Sequence, residues 1–133
     1  MKGVKIVRLP SFTDLRGSLL VAEHADHIPF IPKRVFLVYD VPTKEVRGEH
    51  AHKMLHQFLI CISGSCSILL DDGNNREEIR LESKDIGIYI PPMVWSTQYK
   101  YTSDAILMVL ASEPYNSEDY IREYQQYLSL VRK

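Results

Sequence analysis

Short apolar runs separated by turn residues make up most of this chain. Residues 4–9 alternate apolar and polar side chains, which is typical of a strand with one buried face. Residues 57–62 are almost wholly apolar, as in a strand that is covered on both faces. Asp71-Asp72-Gly73-Asn74 is a hairpin signal, because Gly, Asn and Asp readily adopt the positive φ angles of tight turns. The pattern predicts about nine strands, at residues 4–9, 18–23, 33–39, 57–62, 65–70, 76–81, 86–90, 94–99 and 105–111.

Only the C-terminal part of the chain changes its period. From Asn116 onward the apolar residues recur at intervals of three and four, which predicts an amphipathic helix. Asn116 is suited to the N-cap, and Glu118 and Asp119 would lie in the first turn, where the helix dipole favours acidic groups. The predicted apolar stripe consists of Tyr120, Ile121, Tyr124, Tyr127, Leu128 and Val131. Strands followed by one helix predict an all-β single domain over residues 1–133, a small antiparallel barrel or sandwich.

The composition is that of an ordinary globular protein, with 45% hydrophobic and 25% charged residues among 133. A formal net charge of −1 argues against broad electrostatic binding to nucleic acid. The only cysteines, Cys61 and Cys66, lie in apolar runs, which favours free buried thiols and a reducing cytoplasm. The sequence pattern predicts neither a signal peptide nor a membrane helix, which would need an apolar segment of roughly 18 residues. We therefore expect a cytoplasmic protein with no nucleic-acid or membrane partner.

Three of the five histidines fall between positions 50 and 56. His50 and His52 are two apart, so on an extended strand both imidazoles would project from the same face. Such a pair can bind a metal ion, or it can transfer protons near neutral pH, because free imidazole titrates at about 6.5. A surface strand with two solvated histidines is the third possibility. Arg47 and Lys53 add positive charge on either side, and Gly48 allows a close approach to a ligand.

The spacing around this pair favours proton transfer over metal binding. His50-x-His52, Gln57 and Gly64 follow the layout of the first sequence signature of cupin barrels. Metal-binding cupins carry a glutamate at the position of Gln57, and the histidine of their second signature is replaced here by Ser96. Amide and hydroxyl groups are weak ligands, and a firm divalent site usually needs about three or four protein ligands. The sequence therefore predicts an acid–base couple that works without a metal or another cofactor.

Charged and aromatic residues elsewhere in the chain are candidate substrate-binding groups. Arg16 and Arg47 could clamp a diphosphate, because a planar guanidinium can donate two hydrogen bonds to phosphate oxygens. Trp95, the only tryptophan, and Tyr89 could line a ligand cavity or pack in the core. The complete candidate set for substrate binding is Arg16, Arg47, Lys53, Gln57, Tyr89, Trp95 and Ser96.

Longer motifs resemble one known family along nearly the whole chain. They are Arg16-Gly17-Ser18-Leu19, Ile28-Pro29-Phe30, Lys33-Arg34-Val35, Arg47-Gly48-Glu49-His50-Ala51-His52-Lys53, Gln57, Leu59-Ile60-Cys61, Gly64-Ser65, Leu70-Asp71-Asp72-Gly73, Gly87-Ile88-Tyr89-Ile90, Val94-Trp95, Met108-Val109-Leu110-Ala111-Ser112 and Asp119-Tyr120-Ile121-Arg122. Together they resemble the nucleotide-sugar 3,4-ketoisomerases of the cupin superfamily, the WxcM-like proteins. The histidine motif and the trailing Asp-Tyr-Ile-Arg motif are the most specific of these.

The resemblance implies a cupin, a double-stranded β-helix or jelly-roll barrel, that forms a homodimer with exchanged N-terminal strands and needs no metal. It implies that His50 and His52 move the ketone of dTDP-4-keto-6-deoxy-D-glucose from C4 to C3 through an enediolate. The product would be a dTDP-3-keto-6-deoxyhexose, an intermediate for 3-amino-3,6-dideoxyhexoses of surface polysaccharide such as lipopolysaccharide O-antigen. Two alternatives stay open, namely an epimerase of a related nucleotide sugar and a non-catalytic cupin that binds one.

The chain departs from the family pattern at three positions. Family members often carry a histidine or an arginine at the position of Ser96, and tyrosines at those of Phe36 and Leu37. The group that returns a proton to C4 decides from which face the proton arrives. These residues therefore bear on the product's stereochemistry at C4, which the sequence leaves open together with the preferred nucleotide. The sequence also leaves open which of His50 and His52 acts on carbon.

Overall fold

Twelve short strands and one α-helix form the part of the chain that this computed structural model describes, residues 1 and 3–132. The strands are β1 Lys5–Arg8, β2 Ser11–Asp14, β3 Gly17–Leu20, β4 Arg34–Tyr39, β5 Arg47–His52, β6 Gln57–Ser63, β7 Cys66–Asp71, β8 Arg76–Leu81, β9 Ile86–Ile90, β10 Trp95–Tyr99, β11 Ile106–Ala111 and β12 Tyr120–Ile121, and the helix is α1 Tyr124–Val131. In the described residues, no helix is long and apolar enough to cross a membrane.

The strands form two five-stranded antiparallel sheets and a separate hairpin. The first sheet has the order β1-β9-β6-β11-β4, the second has the order β12-β5-β10-β7-β8, and β2 pairs only with β3. Neighbouring strands are mostly distant in sequence, as in a jelly roll. The prediction of an all-β cupin barrel with a C-terminal helix is confirmed.

The main core lies between the two sheets. Leu59, Ile88 and Leu107 project into it from the first sheet, and Ile68 and Leu70 project from the second, each at most 1% exposed. The side chains of β6, β9 and β11 that alternate with these core residues lie on the outer face of the first sheet. The segment around Ile28 and Phe30 covers them. This explains why residues 58–62 are all apolar: both faces of that strand are covered.

The helix packs on the outside of the second sheet, and it begins later than the sequence pattern predicts. Asn116 caps only a short 3-10 turn, Ser117–Asp119, by accepting a hydrogen bond from the amide of Glu118. The chain then extends as β12 along the free edge of β5, so the predicted helical start at Asn116 is wrong. Backbone pairing at that sheet edge outweighs the local helical pattern, because β5 would otherwise leave its N–H and C=O groups unpaired.

The N-terminal hairpin also differs from the sequence prediction. Pro10 ends β1 as expected, but β2 starts immediately afterwards, and its partner β3 ends at Leu20, whereas the pattern predicts a strand at residues 18–23. Every residue of β2 is exposed, including Phe12 at 61%, and Leu19 of β3 is 62% exposed. Without a buried face, this hairpin has no clear alternation from which β2 could be predicted.

Candidate active site

The inner face of the second sheet carries the histidine pair. Where β5 pairs with β10, His50 lies opposite Ser96, and Arg47 lies opposite Gln98. Residues that lie directly opposite each other share a face of the sheet. Ser96 also pairs with Leu70, whose side chain is in the core between the sheets. The register therefore directs all four side chains of these two pairs toward the interior of the barrel.

A β-bulge at Glu49 makes this arrangement possible. Arg47 and His50 are an odd number of residues apart, so in a regular strand they would project from opposite faces. The register shifts at Glu49, which has no partner in β10, and both Gly48 and Glu49 have positive φ, 83° and 56°. A Cβ on Gly48 would lie 2.8 Å from the side-chain oxygen of Gln98, so the close approach of the strands also favours glycine there. The bulge thus places a guanidinium on the same face as the imidazoles.

The imidazole of His52 is buried and bonded to a carboxylate. The side chain is 5% exposed, and its Nδ1 lies 3.2 Å from Oδ2 of Asp119. The next residue, Tyr120, pairs with His52 in β12, which brings Asp119 to the edge of β5. An ionised carboxylate can only accept a hydrogen bond, so Nδ1 of His52 carries the proton and Nε2 is the basic nitrogen. This Nε2 is buried and has no hydrogen-bond partner among the described residues.

His50 has the same tautomer for a different reason. Its Nδ1 lies 2.9 Å from the carbonyl oxygen of Gly48, which can only accept a hydrogen bond, so Nδ1 is again the donor. The two imidazole rings lie 4.9 Å apart between centroids, at an interplanar angle of 84°. The site therefore contains two neighbouring imidazoles whose Nδ1–H groups are engaged in hydrogen bonds, which leaves Nε2 as the basic nitrogen of each ring.

Tyr120 and Arg34 complete the surroundings of the pair. The Tyr120 ring lies 4.8 Å from the His50 ring and 4.4 Å from the His52 ring, between centroids. The guanidinium of Arg34 stacks over Phe36 at 4.9 Å, and its Nε is buried without a partner among the described residues. A cavity of about 120 Å³ opens beside these groups, and its lining residues are Arg34, His52, Met54, Leu55, Glu113, Pro114, Asn116, Asp119 and Tyr120.

Burial keeps both imidazoles neutral at physiological pH. It lowers the pKa of His50, and the positive charge of Arg122 lowers this pKa further. The pKa of His52 is lowered to about 4, mainly by burial and then by the neighbouring His50, although Asp119 acts in the opposite direction. At pH 7 the His52–Asp119 contact is therefore a hydrogen bond from a neutral imidazole rather than an ion pair. Neutral imidazoles are proton acceptors, as a general base requires.

We expect the low pKa of His52 to make the fold acid-sensitive. A buried neutral histidine contributes its stability fully above the unfolded-state pKa of 6.5, and this contribution is lost as the pH falls from 6.5 through about 4. The pKa difference corresponds to a loss of up to about 3 kcal/mol. The free energy of unfolding, measured by urea denaturation at pH 7 and pH 4.5, should fall less in His52→Asn than in the wild type. His24→Asn, which changes an exposed histidine, is the control and should behave as the wild type; equal losses in all three proteins would contradict the expectation.

Four of the nine candidate residues lie on the inner face of the second sheet, and a fifth candidate faces these four from the first sheet. These four are His50, His52, Arg47 and Ser96. Gln57 faces them from the first sheet, because it pairs with Ile90, whose side chain belongs to the core between the sheets. The structure therefore assembles the predicted acid–base pair with an arginine, an amide and a hydroxyl around it.

The other candidates lie elsewhere in this chain. Tyr89 is on the outer face of the first sheet, where its hydroxyl lies 2.6 Å from Nδ1 of His56. Trp95 packs outside the second sheet against the helix, with its ring 5.2 Å from that of Tyr124. Successive residues of a strand face opposite sides, which explains why Trp95 and Ser96 are separated. Arg16 is exposed in the β2–β3 hairpin and bonded to Asp14, and Lys53 is exposed just beyond β5.

Sequence reasoning did not assign a role to several residues that surround the pair. Asp119 and Tyr120 belong to the Asp-Tyr-Ile-Arg motif, which was recognised as specific, but the predicted helix placed them on a helix and away from the histidines. Arg34 likewise belongs to a recognised motif. Gln98 belongs to no motif that the sequence offers, although the side-chain nitrogen of Gln98 donates a hydrogen bond to the Ser96 hydroxyl at 3.2 Å.

The residues that the structure describes contain no group of three or more His, Cys, Asp and Glu side chains placed to hold a metal ion. The Nδ1 atoms of His50 and His52 are occupied by hydrogen bonds, and the groups facing them from Gln57 and Ser96 are neutral. A reaction that proceeds without a metal remains a prediction.

The fold and the site define a cupin-type barrel whose interior presents two neighbouring imidazoles. The chain belongs to the WxcM-like family, because the family model described as "WxcM-like, C-terminal" matches residues 2–132. A relative from Aneurinibacillus thermoaerophilus, named TDP-4-oxo-6-deoxy-alpha-D-glucose-3,4-oxoisomerase, is 43% identical over 129 residues, which cover 97% of this chain and 93% of the relative.

Two solved structures agree with this assignment. The sugar 3,4-ketoisomerase of Thermoanaerobacterium thermosaccharolyticum, in complex with TDP, has a TM-score of 0.95 and 37% identity, covering 99% of this chain and 96% of its own. The TDP-quinovose 3,4-ketoisomerase of Campylobacter jejuni has a TM-score of 0.93 and 43% identity, covering 97% of this chain and 99% of its own. The prediction of an isomerase, a nucleotide-sugar 3,4-ketoisomerase rather than an epimerase, is confirmed.

Proposed function

We propose that this protein converts dTDP-4-keto-6-deoxy-D-glucose into a dTDP-3-keto-6-deoxyhexose with the imidazoles of His50 and His52. The observation that carries the proposal is the pair of neighbouring imidazoles on the inner face of the barrel, each with its Nδ1 engaged in a hydrogen bond and its Nε2 left as the basic nitrogen. The 3-keto product is a carbonyl compound that an aminotransferase can use, which fits a route to 3-amino-3,6-dideoxyhexoses.

The reaction is a transfer of two protons with no net change in the atoms of the sugar. The C3 hydrogen is acidified by the adjacent C4 carbonyl, and a neutral imidazole removes it while the C3=C4 double bond of an enediolate forms. The O3 hydroxyl then loses its proton as the C3 carbonyl forms, C4 takes up a proton, and O4 ends as a hydroxyl. One imidazole handles the carbon-bound proton, and the other serves the two oxygens.

The remaining inward-facing groups suit the other parts of the substrate. Arg47 begins β5 and is exposed at the rim of the barrel, where its guanidinium can bind the diphosphate while the sugar reaches the histidines. Ser96, Gln98 and Gln57 offer neutral donors and acceptors for sugar hydroxyls. Ser96 lies directly opposite His50, so it is well placed to influence the face from which C4 is protonated.

We expect full turnover in the presence of a chelator. The purified protein is incubated with dTDP-4-keto-6-deoxyglucose and EDTA, and the sugar is followed by NMR for the change from a 4-ketone to a 3-ketone. Activity that disappears with EDTA and returns with a divalent ion would replace this mechanism with that of a metal cupin. Nucleotide binding with no conversion under either condition would instead favour a protein that only binds the nucleotide sugar.

The proposal extends to a homodimer in which N-terminal segments are exchanged. The β2–β3 hairpin exposes Phe12 and Leu19, and the outer face of the edge strand β4 exposes Val35, Leu37 and Tyr39 to between 49% and 60%. Exposed apolar side chains of this kind favour association. Contact of the hairpin with a second copy would also bring Arg16 toward that copy. Light scattering after gel filtration should give twice the chain mass of 15.4 kDa, and a monomer at micromolar concentration would contradict the dimer.

A cytoplasmic location belongs to the same proposal. Its support is that Cys61 and Cys66 are both buried, free thiols, as expected in a reducing compartment. Fractionation of cells that express the tagged protein would test it, and recovery in the periplasmic fraction would contradict it.

A further inference from the structure

We propose that Asp119 is a positioning residue that holds the imidazole of His52 as the Nδ1–H tautomer, with its basic Nε2 directed into the site. The inference rests on the proposed role of His52 in proton transfer. It assigns a function to a residue that lies 67 positions from His52 and that the sequence pattern predicts to be in a helix.

The carboxylate of Asp119 is itself held rigidly. Its Oδ1 accepts a hydrogen bond from the amide of Met54 at 2.8 Å, and its Oδ2 accepts one from the amide of Leu55 at 3.2 Å. The backbone is also tied to β5, because the carbonyl oxygen of Asp119 accepts a bond from the amide of Lys53 at 2.9 Å. With its side chain only 14% exposed, this carboxylate is a fixed acceptor for the imidazole.

The contact with Asp119 determines which nitrogen of the His52 imidazole carries the proton. Oδ2 lies 3.2 Å from Nδ1 of His52, and an ionised carboxylate has no proton to donate, so the imidazole must direct its N–H toward Asp119. Tyr120 packs its ring 4.4 Å from the His52 ring and limits rotation of the imidazole. Two consecutive residues thus determine both the tautomer and the orientation of the ring.

The tautomer matters because only one ring nitrogen of a neutral imidazole is basic. If Nδ1 were the unprotonated nitrogen, Nε2 would carry a hydrogen and could not remove a proton from the substrate. An asparagine at position 119 creates this situation. Its single oxygen cannot serve the amides of both Met54 and Leu55 as well as the imidazole, and an NH₂ group that faces Nδ1 would require the opposite tautomer.

Asp119 also has a structural role, since it binds two backbone amides after β5. A loss of activity in a variant would therefore not be sufficient evidence by itself. The readout must report on the imidazole, which the ¹⁵N chemical shifts of histidine do, because protonated and unprotonated ring nitrogens differ widely in shift. The His52 signals are assigned as those that disappear in His52→Asn.

The experiment compares Asp119→Asn with the wild type in both tautomer and rate. In the wild type we expect His52 to be protonated at Nδ1, and in the variant we expect protonation to shift to Nε2. Turnover should fall by on the order of 10²-fold or more, with KM changed by less than about threefold, because the imidazole loses its basic nitrogen while the cavity stays intact. Glu118→Gln, a carboxylate-to-amide change at an exposed neighbouring position, is the matched control and should leave both readouts unchanged.

A double variant tests whether Asp119 acts through His52. In the His52→Asn background, Asp119→Asn should cause no further loss of rate, because residues that act as one unit are not additive. Independent, multiplicative losses would overturn the proposal, as would an Nε2–H tautomer in the wild type, a measurement that needs no folded variant. Wild-type turnover by His52→Asn would instead refute the proposed role of His52, while the tautomer measurement would still report on the contact with Asp119.

Discussion

Replacing either His50 or His52 with asparagine should lower kcat by a factor on the order of 10²–10⁴, the usual contribution of a general acid–base group. Both imidazoles have Nδ1 engaged in a hydrogen bond and Nε2 as the basic nitrogen, and among the described residues no other histidine belongs to a strand of the second sheet. Asparagine is similar in size and can keep a hydrogen bond to the neighbouring acceptor, so the loss should fall on the chemistry rather than on folding.

Deuterium exchange locates the defect in the reaction. In heavy water the wild type should incorporate deuterium at C3 of the remaining 4-keto sugar and at C4 of the 3-keto product, because protons held on the imidazoles exchange with solvent. The variants should not. Thermal unfolding serves as the folding check, and His24→Asn, at an exposed position, is the matched control. Normal exchange in both variants would move the chemistry to other groups. A loss of stability as large as the loss of rate would assign the pair a structural role.

Arg47→Ala should weaken the binding of TDP and of the nucleotide sugar more than it slows the chemical step. A charge-assisted hydrogen bond typically contributes about 1.5–3 kcal/mol, which corresponds to a Kd increase of roughly tenfold to 150-fold. Arg47 lies on the inner face of the second sheet and at the rim, three residues before His50, so its loss removes charge from the entrance without disturbing the core.

Calorimetry with TDP provides the measurement, because TDP contains the diphosphate and lacks the sugar. Arg8→Ala is the matched control, since that arginine has a 78% exposed side chain and forms only a long contact of 3.4 Å with Asp85. Equal affinity in all three proteins would show that Arg47 is an ordinary surface charge, and the diphosphate would then bind to other donors.

The chain's own sequence determined most of the strands and the placement of the two histidines on one face. Alternation and turn residues predict the strands of the barrel because a half-buried strand must place apolar side chains on one face. The His50-x-His52 spacing places both rings together because the two residues are two apart. The residue types at positions 57 and 96, an amide and a hydroxyl, favour proton transfer over metal binding in the same way.

Only the tertiary structure decided where the side chains of Arg47, Asp119 and Trp95 lie. Arg47 reaches the same face as His50 because Glu49 forms a bulge, and a bulge depends on the register with the neighbouring strand. Asp119 reaches His52 across 67 positions because β12 extends along the edge of β5, where backbone pairing replaces the helix that the local pattern predicts. Trp95 faces the helix and Ser96 faces the site, because successive residues of a strand project to opposite sides. Which of the two sides is the interior depends on the elements that pack against the sheet. Local sequence determines which residues can perform the chemistry, but long-range strand pairing determines which of them meet.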